Sequence, residues 1–148
     1  MAWVLVTGED DAIYHGVTRV VRREGYEVVA APDGATALQL LVDVARVQDV
    51  VVLLRPRMGQ LGATEFLSAV ATEDILLRWH AYILLDGPPV ELPAEVERFR
   101  ATLAIPQVAA PLDADDEDGW ADLLDAINLA VRQLPAHRPP SEGAPALR

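Results

Sequence analysis

The run Val50-Val51-Val52-Leu53-Leu54 constrains this chain more than any other feature. It is unbroken by polar residues and rich in β-branched side chains. A strand with one wet face alternates apolar and polar residues, so a short continuous apolar run reads as a strand covered on both faces. Such strands sit in parallel sheets with helices above and below. The rest of the chain repeats the same alternation. Trp3-Val4-Leu5-Val6 is a second such run, Tyr26-Glu27-Val28-Val29-Ala30 and Tyr82-Ile83-Leu84-Leu85 read as further strands, and Gln107-Val108-Ala109 as a short fifth.

Helical spacing fills the gaps. Ile13, Val17, Val20 and Val21 share one face, and Gly25 stands where a helix ends in the left-handed conformation. Pro32-Asp33-Gly34 forms a turn in which Asp33 caps a helix that turns Ala37, Leu38 and Leu41 inward. Phe66, Leu67 and Val70 mark a third helix. Val96, Phe99 and Leu103 mark a fourth, entered through Pro93. The last is the most regular: Trp120, Leu123, Leu124, Ile127, Val131 and Leu134 form one stripe, preceded by Asp115, Asp116, Glu117 and Asp118, where a helix dipole favours negative charge. Five strand–helix pairs predict a doubly wound α/β sheet with right-handed crossovers. One domain over residues 1–134 accounts for the pattern. The Pro- and Ala-rich stretch 135–148 has no apolar period and is expected to be disordered.

Charge narrows the function. A formal net charge of −11 repels phosphate backbones and anionic lipid, so neither nucleic acid nor a membrane surface is expected as a partner. No apolar run approaches the ~20 residues of a membrane span. The start, Met1-Ala2-Trp3-Val4, has no basic region of the kind that opens a signal peptide. With no cysteine, disulfide and thiolate chemistry are excluded. A soluble cytoplasmic protein is the expectation.

Three segments resemble bacterial response-regulator receiver domains. Val4-Leu5-Val6, Gly25-Tyr26-Glu27-Val28-Val29 and Pro32-Asp33-Gly34-Ala35-Thr36-Ala37-Leu38 are similar to that family's first strand, second strand and second-helix start. Asp49 to Leu54 resembles its third strand, Met58 with Glu65-Phe66-Leu67 the segment after it, and Ala110-Pro111-Leu112 the junction after its fifth strand. The resemblance runs from Val4 to Leu134 and implies a flavodoxin-like, five-stranded parallel sheet with helices on both faces. In the family, an aspartate ending the third strand receives a phosphoryl group from a kinase histidine, close to Mg²⁺ held by an acidic pair after the first strand.

At the phosphoacceptor position this chain has Arg55, a cation and no nucleophile. Gly8 and Glu9 align with the acidic pair, with Asp10 next; one ligand is gone. Asp86 replaces the hydroxyl residue ending the fourth strand, Gln107 the aromatic switch residue, and Ala110 the lysine ending the fifth. A one-residue slip restores nothing, since Leu54, Pro56 and Arg57 cannot accept a phosphoryl group either. The resemblance therefore implies a pseudo-receiver: a signalling or adaptor protein acting by protein–protein contact, with no catalysis, no cofactor and no metal. In the family's geometry Arg55 lies near Glu9, Asp10 and Asp86, and is expected to pair with them in place of the metal. In receivers the face of the fourth helix, fifth strand and fifth helix makes dimers and output contacts; here that covers parts of Pro93–Leu103, Gln107–Ala109 and Asp118–Leu134, so a homodimer is in view.

Two rival readings use the same residues. Loops around Pro88-Pro89 and Gly59–Gly62 could wall a small-molecule sensor pocket, and a flavin protein or enzyme could use the same architecture. Other chemistry finds little support. His15, His80 and His137 lack metal-ligand spacing. Thr7-Gly8 lacks the spacing of a phosphate loop. Trp3, Trp79 and Trp120 read as core or core-edge anchors, and Arg55-Pro56-Arg57-Met58-Gly59 as an exposed basic loop suited to contacts.

Overall fold

The computed structural model describes residues 2–8, 12–44, 47–55, 63–72, 80–86, 107–109 and 115–134. Five strands, β1 (Trp3–Thr7), β2 (Glu27–Ala31), β3 (Val50–Leu54), β4 (Ala81–Asp86) and β5 (Gln107–Ala109), form one sheet in the order β2-β1-β3-β4-β5. Every pairing is parallel: Trp3 lies beside Glu27 on one side and Val50 on the other, Val51 beside Ala81, and Leu84 beside Gln107. The helices described are α1 (Ala12–Arg23), α2 (Gly34–Val44), α3 (Ala63–Thr72) and α4 (Glu117–Gln133). The helix expected over Pro93–Leu103 and the stretch from residue 135 onward lie outside the described residues.

The unbroken apolar runs are buried on both faces, for the reason their composition gives. Side chains alternate across a strand. Val50, Val52 and Leu54 of β3 therefore enter a core with Leu41, Phe66, Leu67 and Val70 from α2 and α3. Val51 and Leu53 enter a second core with Val17, Val21, Leu123 and Ile127 from α1 and α4. Phe66 packs edge-on against Tyr82, with ring centroids 6.2 Å apart. Burying one such large apolar side chain contributes about 1.5–3 kcal/mol. Deep burial also pushes the Tyr82 phenol well above the usual tyrosine pKa, so the ring stays neutral.

The helix ends follow their local chemistry. Gly25, at φ +94°, closes α1: its N–H donates to Arg22 O at 3.0 Å, and the Tyr26 N–H donates to Val21 O at 3.4 Å. This pair of bonds forms because a glycine accepts the left-handed conformation cheaply. The Asp33 carboxylate caps α2 by accepting from the Thr36 N–H at 2.7 Å. Asp116 caps α4 in the same way, through the Gly119 N–H at 3.1 Å. The second strand begins one residue later than its sequence suggests, at Glu27, because Tyr26 is used by the α1 cap and its hydroxyl donates to Asn128 Oδ1 of α4. Partial burial chiefly, and Glu24 next, raise the Tyr26 pKa against the pull of Arg132.

One polar atom in this layer is unsatisfied. The Thr18 hydroxyl of α1 is buried without a hydrogen-bond partner among the described residues. A buried, unpartnered hydroxyl costs roughly 1–3 kcal/mol, and valine has the same shape and nearly the same helix propensity. Thr18→Val is expected to raise stability by about 1 kcal/mol, measured by urea unfolding. A loss would show that the hydroxyl has a partner after all.

Candidate functional site

In a doubly wound parallel sheet, functional loops gather outside the carboxyl ends of the strands. Here β1 and β3 end side by side at that edge, delivering Thr7-Gly8 and Leu54-Arg55. The buried Thr7 hydroxyl donates to Leu53 O at 2.7 Å and ties the two ends together. The next residue, Gly8, donates its N–H to Ala31 O at 3.1 Å, fastening the same corner to β2.

Gly8 has φ +121°, a conformation that residues with a side chain rarely adopt. Its open side is covered by Arg55. A Cβ placed on Gly8 would come within 2.7 Å of Arg55 Cδ and 3.2 Å of Nη1. The arginine stem and guanidinium therefore lie directly over the glycine backbone, half-buried, in the space an acidic side chain at position 8 would need. Glycine at position 8 and arginine at position 55 thus fit each other: the absent side chain is what admits the long one.

The described side chains of this corner bring no carboxylate to a divalent metal. Among the described residues at the edge, Thr7 spends its hydroxyl proton on Leu53 O, Gly8 has no side chain, and Arg55 brings a fixed positive charge where Mg²⁺ needs oxygen ligands. Among the described residues no three His, Asp or Glu side chains gather as a metal site. Other expected site residues are placed by backbone alone. Asp86 is the last residue of β4, beside Ala109, and Gln107 opens β5 beside Leu84. Glu9, Asp10 and Ala110 lie outside the described residues, as do Trp79, His137 and the loops at Arg57–Gly62 and Pro88-Pro89.

The remaining histidines and tryptophans separate clearly. His15 is exposed and meets the Tyr14 ring edge-on at 5.4 Å. Trp3 is half-buried at the start of β1, and Trp120 packs on the second core, with its indole against Gly16 of α1. His80 is a structural residue that sequence reasoning undervalued. It is 2% exposed, and its Nδ1 accepts the Val50 N–H at 3.2 Å, at the point where β4 has not yet begun to pair with β3. The only cue in the sequence was a polar residue directly before an apolar run.

No protein-family model matches the chain, and no curated protein matches its sequence. Solved structures do match its fold. Chemotaxis protein CheY4 of Vibrio cholerae is similar at TM-score 0.66 and 21% identity, covering 88% of this chain and 98% of that one. The signal receiver domain of an HD domain-containing protein from Pseudomonas fluorescens Pf-5 gives TM-score 0.68 and 20% identity, over 91% and 98%. The response regulator domain of Thermotoga maritima CheB gives 0.69 and 18%, over 89% and 97%. The fold is that of CheY-like receiver domains. Identities this low carry the fold alone, so what the strand-end site does has to be argued from its own residues.

Proposed function

We propose that this chain is a receiver-type signalling domain that works by protein–protein contact without being phosphorylated. The observation that carries the reading is Arg55 lying across Gly8 at the carboxyl edge of the sheet. The first residue past β3 is the place where the receiver resemblance calls for an aspartate nucleophile, and a guanidinium neither attacks a phosphoryl group nor tolerates a divalent cation beside it. The side chain that would hold the metal has been removed from position 8, and the arginine fills the gap.

The sequence supports the same reading in a way no change of alignment can undo. All twelve of the chain's Lys and Arg residues are arginine, so no lysine exists anywhere to serve the role that ends the fifth strand in receivers. Arg55 takes the place of the metal as the resident cation. Glu9, Asp10 and Asp86 are its proposed partners, since carboxylates gathered at one strand edge need a counter-charge. A fixed cation cannot be added or removed by a kinase, so the loops at this edge hold one arrangement, and any output comes from the surface they present. The partners of such a domain are proteins.

Incubation with Mg²⁺ and acetyl phosphate tests the proposal. Intact-mass spectrometry is expected to show no phosphoryl adduct, with a phosphorylatable receiver as positive control. A stable adduct on an aspartate or glutamate of the strand-end loops would overturn it.

A further inference from the structure

At the edge of the sheet where the strands begin, opposite Arg55 and Gly8, one buried side chain joins two strands. β3 is the central strand, and Val50 opens it. On one side β1 is fastened there, with the Trp3 N–H donating to Asp49 O at 2.9 Å. On the other side β4 pairs with β3 from Ala81 and Val51 onward. The Val50 N–H lies one step before that ladder and donates to His80 Nδ1 at 3.2 Å. His80 and Val50 are each only 2% exposed. The imidazole thus closes the seam between the two strands at its first rung.

That bond fixes the chemistry of the ring. A backbone N–H can only donate, so Nδ1 must offer its lone pair, and the single ring proton of the neutral imidazole sits on Nε2. A second proton, added at Nδ1, turns the acceptor into a donor. Two N–H groups would then point at each other, and a charge would stand where solvent does not reach. The closed corner accepts neutral His80 and refuses its imidazolium. The ionisable groups on the surrounding elements leave this in place. Tyr82, two residues along β4, is buried and neutral. Asp43 of α2, Glu65 of α3 and Arg132 of α4 are exposed, so their fields are screened. Asp49, half-buried beside Val50, attracts an imidazolium but cannot restore the bond that protonation breaks.

We propose that His80 is an acid-sensitive latch between β3 and β4: closed while the ring is neutral, and released when Nδ1 takes up a proton. The sign follows from which form binds that proton. Above about pH 6.5, the ordinary histidine range, the ring is neutral in folded and unfolded chains alike and the latch contributes fully to stability. Below it, the unfolded chain takes up a proton that the closed corner refuses. Acid therefore shifts the balance towards the open form, and stability falls as the pH falls. The seam opens first at Val50, because the lost contact is there. Nothing in this inference rests on the strand-end site, and its test succeeds or fails separately.

Imidazole and amide NMR of the full chain between about pH 7.5 and 5, with urea unfolding over the same range, is the measurement. His80 is expected as the Nε2–H tautomer at the upper end, with a midpoint below about 6.5 or a ring still neutral at the lower end. Where the ring titrates, the Val50 amide is expected to shift with the same midpoint. The unfolding equilibrium constant is expected to rise by up to about tenfold per pH unit on the way down. His80→Asn keeps an acceptor close to the Nδ1 position but takes up no proton, so its unfolding constant is expected to depend on pH less steeply by that factor. An Nδ1–H tautomer, a midpoint above about 6.5, or a Val50 amide that stays put while the ring titrates would overturn the proposal. So would an equally steep pH dependence in His80→Asn. The ring titration of the native chain decides the matter even where the variant does not fold.

Discussion

Replacing His80 with alanine is expected to destabilise the protein by about 3 kcal/mol, the largest effect of any single change considered. Two losses combine. The imidazole is buried between the strands, so its removal leaves a cavity, and the Val50 N–H loses the acceptor it reaches at 3.2 Å. The second loss matters because Val50 opens the central strand and is buried, so its amide is left without the acceptor a buried N–H needs. His80→Leu separates the two. It refills most of the volume but offers no acceptor, and is expected to retain a deficit of roughly 1–2 kcal/mol. Urea unfolding of the three proteins checks this. A leucine variant as stable as the native protein would show that the hydrogen bond contributes nothing. Against a typical total of about 5–15 kcal/mol, the alanine change removes a large fraction of the stability.

Gly8→Ala is expected to cost about 2–3 kcal/mol. Part of the cost is backbone strain at φ +121°, which any side chain would incur. The rest is the collision with Arg55, whose Cδ stands 2.7 Å from the new methyl position. The collision term disappears if the arginine is shortened. In an Arg55→Ala background the same glycine substitution should cost only about 1 kcal/mol, giving a coupling of 1 kcal/mol or more between the two positions. Arg55→Ala alone is expected to lower the melting temperature, because it uncovers Gly8 and removes the cation from the edge. Thermal or urea unfolding of the four proteins completes the cycle. An equal cost of Gly8→Ala in both backgrounds would mean that Arg55 does not rest on Gly8.

Much of the fold could be read before any coordinates. The continuous runs at Val50–Leu54 and Trp3–Val6 announced strands buried on both faces, and no other arrangement covers them. Asp33 and Gly25 marked helix ends because capping is local chemistry, decided by a few neighbouring residues. What escaped the sequence was relational. That the Tyr26 hydroxyl is held by Asn128 of α4 depends on a residue far along the chain. That His80 is an acceptor depends on β4 lying next to β3 in a particular register. Gly8 read as a missing ligand; only the fold shows it as the floor on which Arg55 lies.

For the candidate site, the sequence predicts a loss. Arg55, Gly8 and the absence of lysine argue against phosphoryl transfer on chemical grounds that need no coordinates. In the fold, Arg55 and Gly8 fit each other, the long side chain lying where the glycine has none.

Titration of the protein with Mg²⁺ and beryllofluoride, followed by amide NMR, tests the central claim most directly. Beryllofluoride mimics a phosphoryl group on a carboxylate and needs a divalent ion beside it. No saturable shifts are expected at Gly8, Arg55 or the residues ending β4. Saturable shifts centred on those residues would contradict it and return the domain to kinase-driven switching.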